Sequence, residues 1–489
     1  MRLAVTFLLA ALMLTAIAHL RPPEYDEAYS IFLTAGDPRP AWPTTPFHPD
    51  TVRALYTGHT TFTQIAQALR SGDVHPPLYF WSLHLWRRLF GPAWFTSRLL
   101  SILFSLATLV SLARLAKLTK TPVIPTILIT LLAYGYAYTS TITRGFALAQ
   151  LLTTLGLTLA VQAAQPRHTD NAKPVIPTKA GIFFLAGILF GAATFTNYLT
   201  LFTPLAALLW LVIRRHCAEA RLAAFLSAAT AFTLFLPADA TFFAAQHASR
   251  PGQFTPFHPI HAFALIAKDF GAALFGGLPL YAGHLGPPVT ITLAIFFAAC
   301  LPFIKPHPLF ILTTIATPIG LFLLGLIFNN TPIEIRYLAF SIPSLALLLA
   351  TLPTPLRTTL ILLESLGTIG LAFAPSTMQP QALAARQAAA LATPQTLTLV
   401  PYGNDGVGIP GPFIAAAPDT LTIQLIHPNA PPNLAPLPRV ILAKITADAA
   451  SSTAVSQTLN NLSKNPCWQP GPATTLTAVF LNRCPHQQP

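Results

Sequence analysis

Acid is what this chain has least of: 15 Asp and Glu in 489 residues, with all charged residues together making up 9%. An ordinary soluble domain carries about 25% charged residues. A water-exposed globular enzyme is therefore excluded. Cysteine is scarce too, four residues with no metal-ligand spacing. The net charge is +13, yet the basic residues form none of the runs of a nucleic-acid binder, so no nucleic-acid partner is expected. Most of them stand at the ends of apolar segments. The glycines of Gly403-Asn404-Asp405-Gly406-Val407-Gly408 have the wrong spacing for a dinucleotide fingerprint and read as a turn.

Apolar length is abundant. Hydrophobic residues reach 53% and the mean hydropathy is +0.57. Eleven runs approach or reach the roughly 17–25 residues a spanning helix needs: 3–20, 96–116, 122–140, 145–164, 180–197, 198–213, 221–238, 286–304, 308–328, 337–353 and 357–375. With the N-terminus inside, the cytoplasmic loops are 117–120, 166–179, 214–221, 305–307 and 354–357, each bearing Lys or Arg, as the positive-inside rule requires. An odd number of spans puts the C-terminus outside, where a disulfide between Cys467 and Cys484 is expected. The first run is expected to stay as an anchor, although Ala16-Ile17-Ala18 resembles a signal-peptidase site.

The expected fold is an all-α polytopic membrane domain over 1–375, with a small external α/β domain over 376–489. Residues 21–95 form the first external loop, read as amphipathic helices at the membrane surface. Pro22-Pro23 opens one that Gly36-Asp37-Pro38 stops, with Tyr25, Tyr29, Phe32 and Leu33 on one face. Thr61 and Gln64 make a capping box for the next, ended by Ser71-Gly72. Pro76-Pro77 opens a third, ended by Gly91-Pro92, and Trp81, Trp86 and Trp94 suit an interfacial belt. The second long external segment, 239–285, carries Asp239, His247, Arg250, His258, His261 and Asp269 at irregular spacing, read as interfacial loop residues rather than a metal site. Beyond 376 the pattern predicts helices at 379–392 and 449–464, with strands at 397–400, 421–426, 439–443 and 476–481.

Three of the few acids, Glu24, Asp26 and Glu27, fall within four positions directly after the first run. Carboxylates beside a bilayer persist where something uses or pairs them. Asp73 and His75 lie at the start of the third surface helix, while Arg144 and Arg336-Tyr337 stand at external ends of spans. Positive charge is normally sparse in short external loops. These are the parts that group transfer at the outer face would need: a carboxylate to take a proton and arginines to grip a leaving phosphate. Glu364 lies toward mid-membrane and is left out of the site.

The stretches YDEAYS (25–30), DVHPPLYFWSLHLWRRLFG (73–91) with SRLLS (97–101), and EIRYLAFSIPSLALLLA (334–350) resemble the GT-C membrane glycosyltransferases. The branch is that of protein O-mannosyltransferases, lipid A aminoarabinose transferases and bacterial relatives, and the resemblance covers roughly 1–375. It implies a polyprenyl-phosphate-linked sugar donor, an acceptor that is lipid, glycan or protein, inverting transfer on the periplasmic face, and residence in the bacterial inner membrane among its lipids. Carried over residue by residue, Asp26 matches the catalytic aspartate and Glu27 its acidic neighbour. His75 matches a His or Lys position near a substrate phosphate; Arg144 and Arg336-Tyr337 match an arginine of the second external loop and a late Arg-Tyr pair. Two departures stand out. Ile142 occupies a position that is often acidic, so no obligatory metal or other cofactor is expected, and Asn197-Tyr198 stands where relatives often have His-Tyr. The rival reading is a lipid or solute transporter, but no convincing internal repeat is present. A polymerase or ligase with a diphosphate-linked donor is a weaker third.

Overall fold

Proline and glycine set the helix ends, and the computed structural model shows them doing so over residues 1–165, 176–213, 218–249, 255–373, 380–428, 430, 434 and 437–484. The expected loops at 166–179 and 214–221 fall partly, and Cys217 and Arg250 wholly, outside those described residues. The chain folds as two compact units. One comprises Met1–Ala18, Ala66–Ser82 and Arg98–Phe373, the other His19–Ile65, Leu83–Ser97 and Ala374–Pro489.

The first unit is helical. Among the described residues, six helices are long and apolar enough to cross a membrane, or up to eight if each bent pair is one span. The bent pairs are Val123–Leu132 with Tyr134–Ser140, at 72°, and Arg221–Thr233 with Leu236–Ala248, at 44°. The second break has a covalent cause. Pro237 has no N–H to give the carbonyl four residues back, so a new helix starts around it. The other three expected runs coincide with shorter apolar helices, Lys179–Thr194, Tyr198–Ile213 and Ile335–Leu349. At least six spans are thus established by length and composition. The core of this unit includes Leu112, Phe183, Phe190, Trp210 and Phe310. Gly187 lets the helix Ile176–Thr194 approach the helix Ala218–Thr233 backbone to backbone, because a Cβ there would strike the Ala228 carbonyl.

The second unit holds a five-stranded sheet of β1 (Thr396–Pro401), β2 (Thr422–Ile426), β3 (Arg439–Ala443), β4 (Trp468–Ala473) and β5 (Thr477–Asn482). The order is β2-β1-β3-β5-β4, with β1 parallel to β2 and β3, and β5 antiparallel to β3 and β4. Helices Pro380–Leu391 and Ala449–Lys464 fall where the pattern predicts them. A disulfide joins Cys467, just before β4, to Cys484, just after β5. The helix Tyr25–Ala35 packs against this sheet domain: Ala28 and Phe32 share a core with Val400, Val407 and Phe413. Phe47 exchanges backbone hydrogen bonds of 2.9 and 2.8 Å with Ile423 of β2.

Candidate functional site

The third surface helix, Leu78–Phe90, starts after Pro76-Pro77, which disfavour helix in the residues before them. Asp73 and His75 therefore stand on the short non-helical link between the helix Phe62–Gly72 and that start. Arg144 stands on the short link between helices Tyr134–Ser140 and Phe146–Ala164, which a tight turn from Arg144 N–H to the Ile142 carbonyl (2.9 Å) shapes.

The three side chains form one network. The Arg144 guanidinium grips both oxygens of Asp73 at 2.8 and 3.0 Å, a bidentate pair. His75 Nδ1 lies 2.9 Å from Asp73 Oδ1, and a carboxylate can only accept, so Nδ1 carries the hydrogen and Nε2 is the basic nitrogen. The Val74 N–H also donates to Asp73, at 2.6 Å. Asp73, His75 and Arg144 are each no more than 5% exposed.

A second group lies across Phe146. That ring packs edge-on against His75 at 5.9 Å and tilts against Tyr337 at 6.0 Å. Arg336 pairs with Glu334 and lies 5.3 Å from the centre of the Tyr337 ring. Burial, reinforced by Asp269, pushes Glu334 up to about 7, and Arg144 pulls it partly back. Sequence reasoning missed Glu334, although it sits inside the EIRY stretch.

A cavity of about 750 Å³ opens among these helices. His75 and Tyr337 line one part of it, together with Asn197, Tyr198, Asp239 and Gln246. Gln246 donates to the carbonyls of Leu69 (2.9 Å) and His75 (3.1 Å), fixing the 72–77 segment against the helix Leu236–Ser249. The segment 239–285 was expected to be interfacial loop. It is instead mostly helical, over Leu236–Ser249 and Pro259–Phe275, and the first of these helices puts Asp239 and His247 on the cavity wall. The missed signal was helical spacing: Asp239, Phe243 and Gln246-His247 recur on one face. Glu364 is wholly buried elsewhere, with neither carboxylate oxygen hydrogen-bonded among the described residues.

The acid cluster belongs to the sheet-containing unit. Glu24 pairs with Arg21. Glu27 is fully buried and accepts a 2.9 Å bond from Trp94 Nε1. Asp26 is 8% exposed in the first turn of the helix Tyr25–Ala35, where the helix dipole favours its negative charge. Gly36, at φ 97°, closes that helix through a bond to the Phe32 carbonyl. Arg87, which sequence reasoning also missed, clamps the same end. It donates to the Ile31 carbonyl at 2.7 Å, to the Thr34 hydroxyl and to the Tyr56 carbonyl. Burial depresses Arg87 to about 10. Tyr29 donates to Asp405 at 2.7 Å, and burial with two acidic neighbours pushes its hydroxyl up, so it stays protonated.

No family model matches the sequence, and no curated protein matches it. Among solved structures the chain is similar to ArnT from Cupriavidus metallidurans bound to undecaprenyl phosphate. Identity is 13%, 99% of each chain is covered, and the TM-score is 0.45. The apo state of the same protein gives 14% identity at the same coverage and TM-score. The oligosaccharyltransferase of Archaeoglobus fulgidus, in complex with Zn and sulfate, matches at 13% identity and TM-score 0.38, over 90% of this chain and 68% of that one.

Proposed function

We propose that the chain is an inverting glycosyltransferase that moves a sugar from a polyprenyl-phosphate donor to an envelope acceptor on the periplasmic face of the inner membrane. The observation that carries this is the joined pair of arginine groups in the helical unit. Asp73, His75 and Arg144 form one, Glu334, Arg336 and Tyr337 the other, and His75 and Tyr337 both face a cavity of about 750 Å³.

Each residue has a task in that reading. Asp26 takes the proton from the acceptor hydroxyl, whose oxygen bonds to the anomeric carbon while the bond from that carbon to the phosphate oxygen breaks. A single displacement inverts the anomeric centre. Glu27, held by Trp94, keeps the first turn of the acidic helix in place. The polyprenyl phosphate departs with the bonding electrons; Arg336 meets its charge, a cationic role worth most in a dry site, and His75, once protonated on Nε2, donates to a phosphate oxygen. Arg144 acts through Asp73, holding the imidazole in one tautomer and one orientation.

The test is transfer by purified protein in lipid nanodiscs from a synthetic polyprenyl-phosphate sugar, with envelope glycans and lipids supplied as acceptors. Asp26→Asn should lower the rate by about 10²–10⁴-fold without changing the unfolding profile. Full activity in that variant removes the mechanism. Movement of the lipid across vesicles with no new glycosidic bond would favour a transporter instead.

A further inference from the structure

Four residues that line the cavity each hold a buried polar atom with no partner among the described residues. Asp239 is 7% exposed; one of its oxygens accepts from Thr194 at 2.8 Å and the other is buried with no partner among the described residues. Asn197 is 2% exposed, and its carboxamide oxygen accepts from the Leu199 N–H at 3.0 Å. That bond orients the amide, so the NH₂ is the end left without a partner. The Tyr198 hydroxyl and the Asn330 side-chain oxygen are likewise buried and unpartnered. All four residues line the same cavity. An unsatisfied buried polar group costs about 1–3 kcal/mol; four in one place mark a site that something else completes.

Which ligand fits follows from the mixture. Two of the atoms accept (Asp239, Asn330), Asn197 donates, and the Tyr198 hydroxyl does either. An ammonium would want acceptors only. A phosphate would want cations, and neither Lys nor Arg lines the cavity, while the Asp239 carboxylate repels an anion. Hydroxyl groups donate and accept at once and suit the whole set. Much of the remaining wall is aromatic or aliphatic: the Phe243 and His247 rings are parallel within 9°, and Phe328 packs against both. Such a wall suits the C–H faces of a ring that carries hydroxyls at its rim. The volume falls in the usual range of about 300–1,000 Å³ for small-molecule sites.

We infer that this cavity is a sugar-ring subsite, in which Asp239, Asn197, Tyr198 and Asn330 hydrogen-bond the hydroxyls of a neutral pyranose. The inference rests on the proposed transferase reading only in taking that ring to be a substrate's.

The experiment uses full-length protein in nanodiscs and photoreactive octyl β-D-glucopyranoside, mannopyranoside and galactopyranoside carrying a diazirine in the alkyl chain. Diazirine octanol and diazirine octylamine serve as ringless controls. None of these probes has a phosphate, so a failure of the phosphate-binding reading leaves this test intact. Mass spectrometry should find at least one glycoside labelling residues 197–202 and 236–247 about fivefold or more above both controls. Asp239→Ala and Tyr198→Phe should each cut that excess by about fivefold or more, as expected where a site built to bind hydroxyls loses a partner. Tyr198→Phe removes a hydroxyl without a partner among the described residues, so the fold is expected to be preserved. Equal labelling by octanol, stronger labelling by octylamine, or an excess unchanged in both variants would each overturn the inference. Adding citronellyl-phosphoryl sugar then assigns the source. Displacement of the glycoside identifies the donor's ring, and undisturbed labelling identifies the acceptor's; either outcome supports the subsite.

Discussion

Asp73 and Asp239 are both almost buried in the helical unit, and their surroundings treat them oppositely. The Asp73 carboxylate receives two bonds from Arg144, one from His75 and one from its own chain at Val74. Asp239 receives one, from Thr194, and has an oxygen with no partner among the described residues. A saturated carboxylate is a fixture of the fold that arranges its neighbours. An unsaturated one at the same depth costs stability, and where it stands beside a cavity it is open to a ligand. Burial alone does not separate the two; the count of satisfied lone pairs does.

The widest test of that contrast is removal of the saturated acid. Asp73→Ala takes the bidentate partner from the buried Arg144, and breaking one side of a buried pair costs about 3–5 kcal/mol. Unfolding monitored in detergent should show that loss. Arg144→Ala should cost a similar amount, and the double variant clearly less than the sum, because neither charge is then stranded. Additive losses would mean that the two side chains do not act as one unit.

Arg87 sharpens the same point from the cationic side in the other unit. Its bonds to two carbonyls and a hydroxyl fix the end of the acidic helix. Arg87→Met keeps the apolar stem and strips the donors, and should destabilise by about 2–3 kcal/mol, the worth of a charge-assisted hydrogen bond plus stranded acceptors. A loss below 0.5 kcal/mol, the range typical of surface substitutions, would show that water replaces the guanidinium.

Much of this was legible in the sequence, and the reasons are local. The capping box at Thr61 and Gln64 forms, with Gln64 N–H donating to the Thr61 hydroxyl and Thr61 N–H to the Gln64 carboxamide. Four of the five strands carry plain β-branched or leucine-rich patterns. The fifth, Trp468–Ala473, contains Pro470 and Gly471 and reads as loop; it is possible only because β4 is the edge strand, irregular at Pro470. The short helix Pro410–Ala416 hides for a related reason, since its Pro-Gly-Pro start looks like a turn. In the site, the two-residue spacing of Asp73 and His75 made their contact readable. Arg144 was expected to grip phosphate; its pairing with Asp73, 71 residues away, was not read from the sequence. Asp239 was unreadable as a site residue because its meaning lies in hydrogen bonds it does not make, and no local pattern encodes an absence.

Between the two extremes stands Glu334, paired to Arg336 and held near 7 by burial. As pH falls through about 7 it takes a proton, and Arg336 loses its counter-charge. A phosphodiester analogue of the donor, whose own charge is constant in this range, should bind about fivefold more tightly at pH 6 than at pH 8. Glu334→Gln should flatten the profile at the tight limit. Stability runs the same way. A raised carboxyl keeps its proton in the folded state while the unfolded chain ionises, so its contribution falls as pH rises from about 4.5 to about 7 and is level beyond. Wild type should therefore lose thermal stability across that window relative to Glu334→Gln.

The smallest expected effect is the most telling. Asp239→Ala removes one hydrogen bond, to Thr194, worth about 0.5–1.5 kcal/mol, and also removes a buried oxygen whose lack of a partner costs about 1–3 kcal/mol. These oppose each other, so the net lies between about 0.5 kcal/mol lost and about 2.5 kcal/mol gained, centred on a gain of about 1 kcal/mol. Asp73→Ala makes a formally identical change at the same depth and should cost about 3–5 kcal/mol. If the two variants instead destabilise equally, the second oxygen of Asp239 has a partner in the folded protein after all. The contrast between the two acids would then disappear, and with it the reason for placing a ligand beside Asp239.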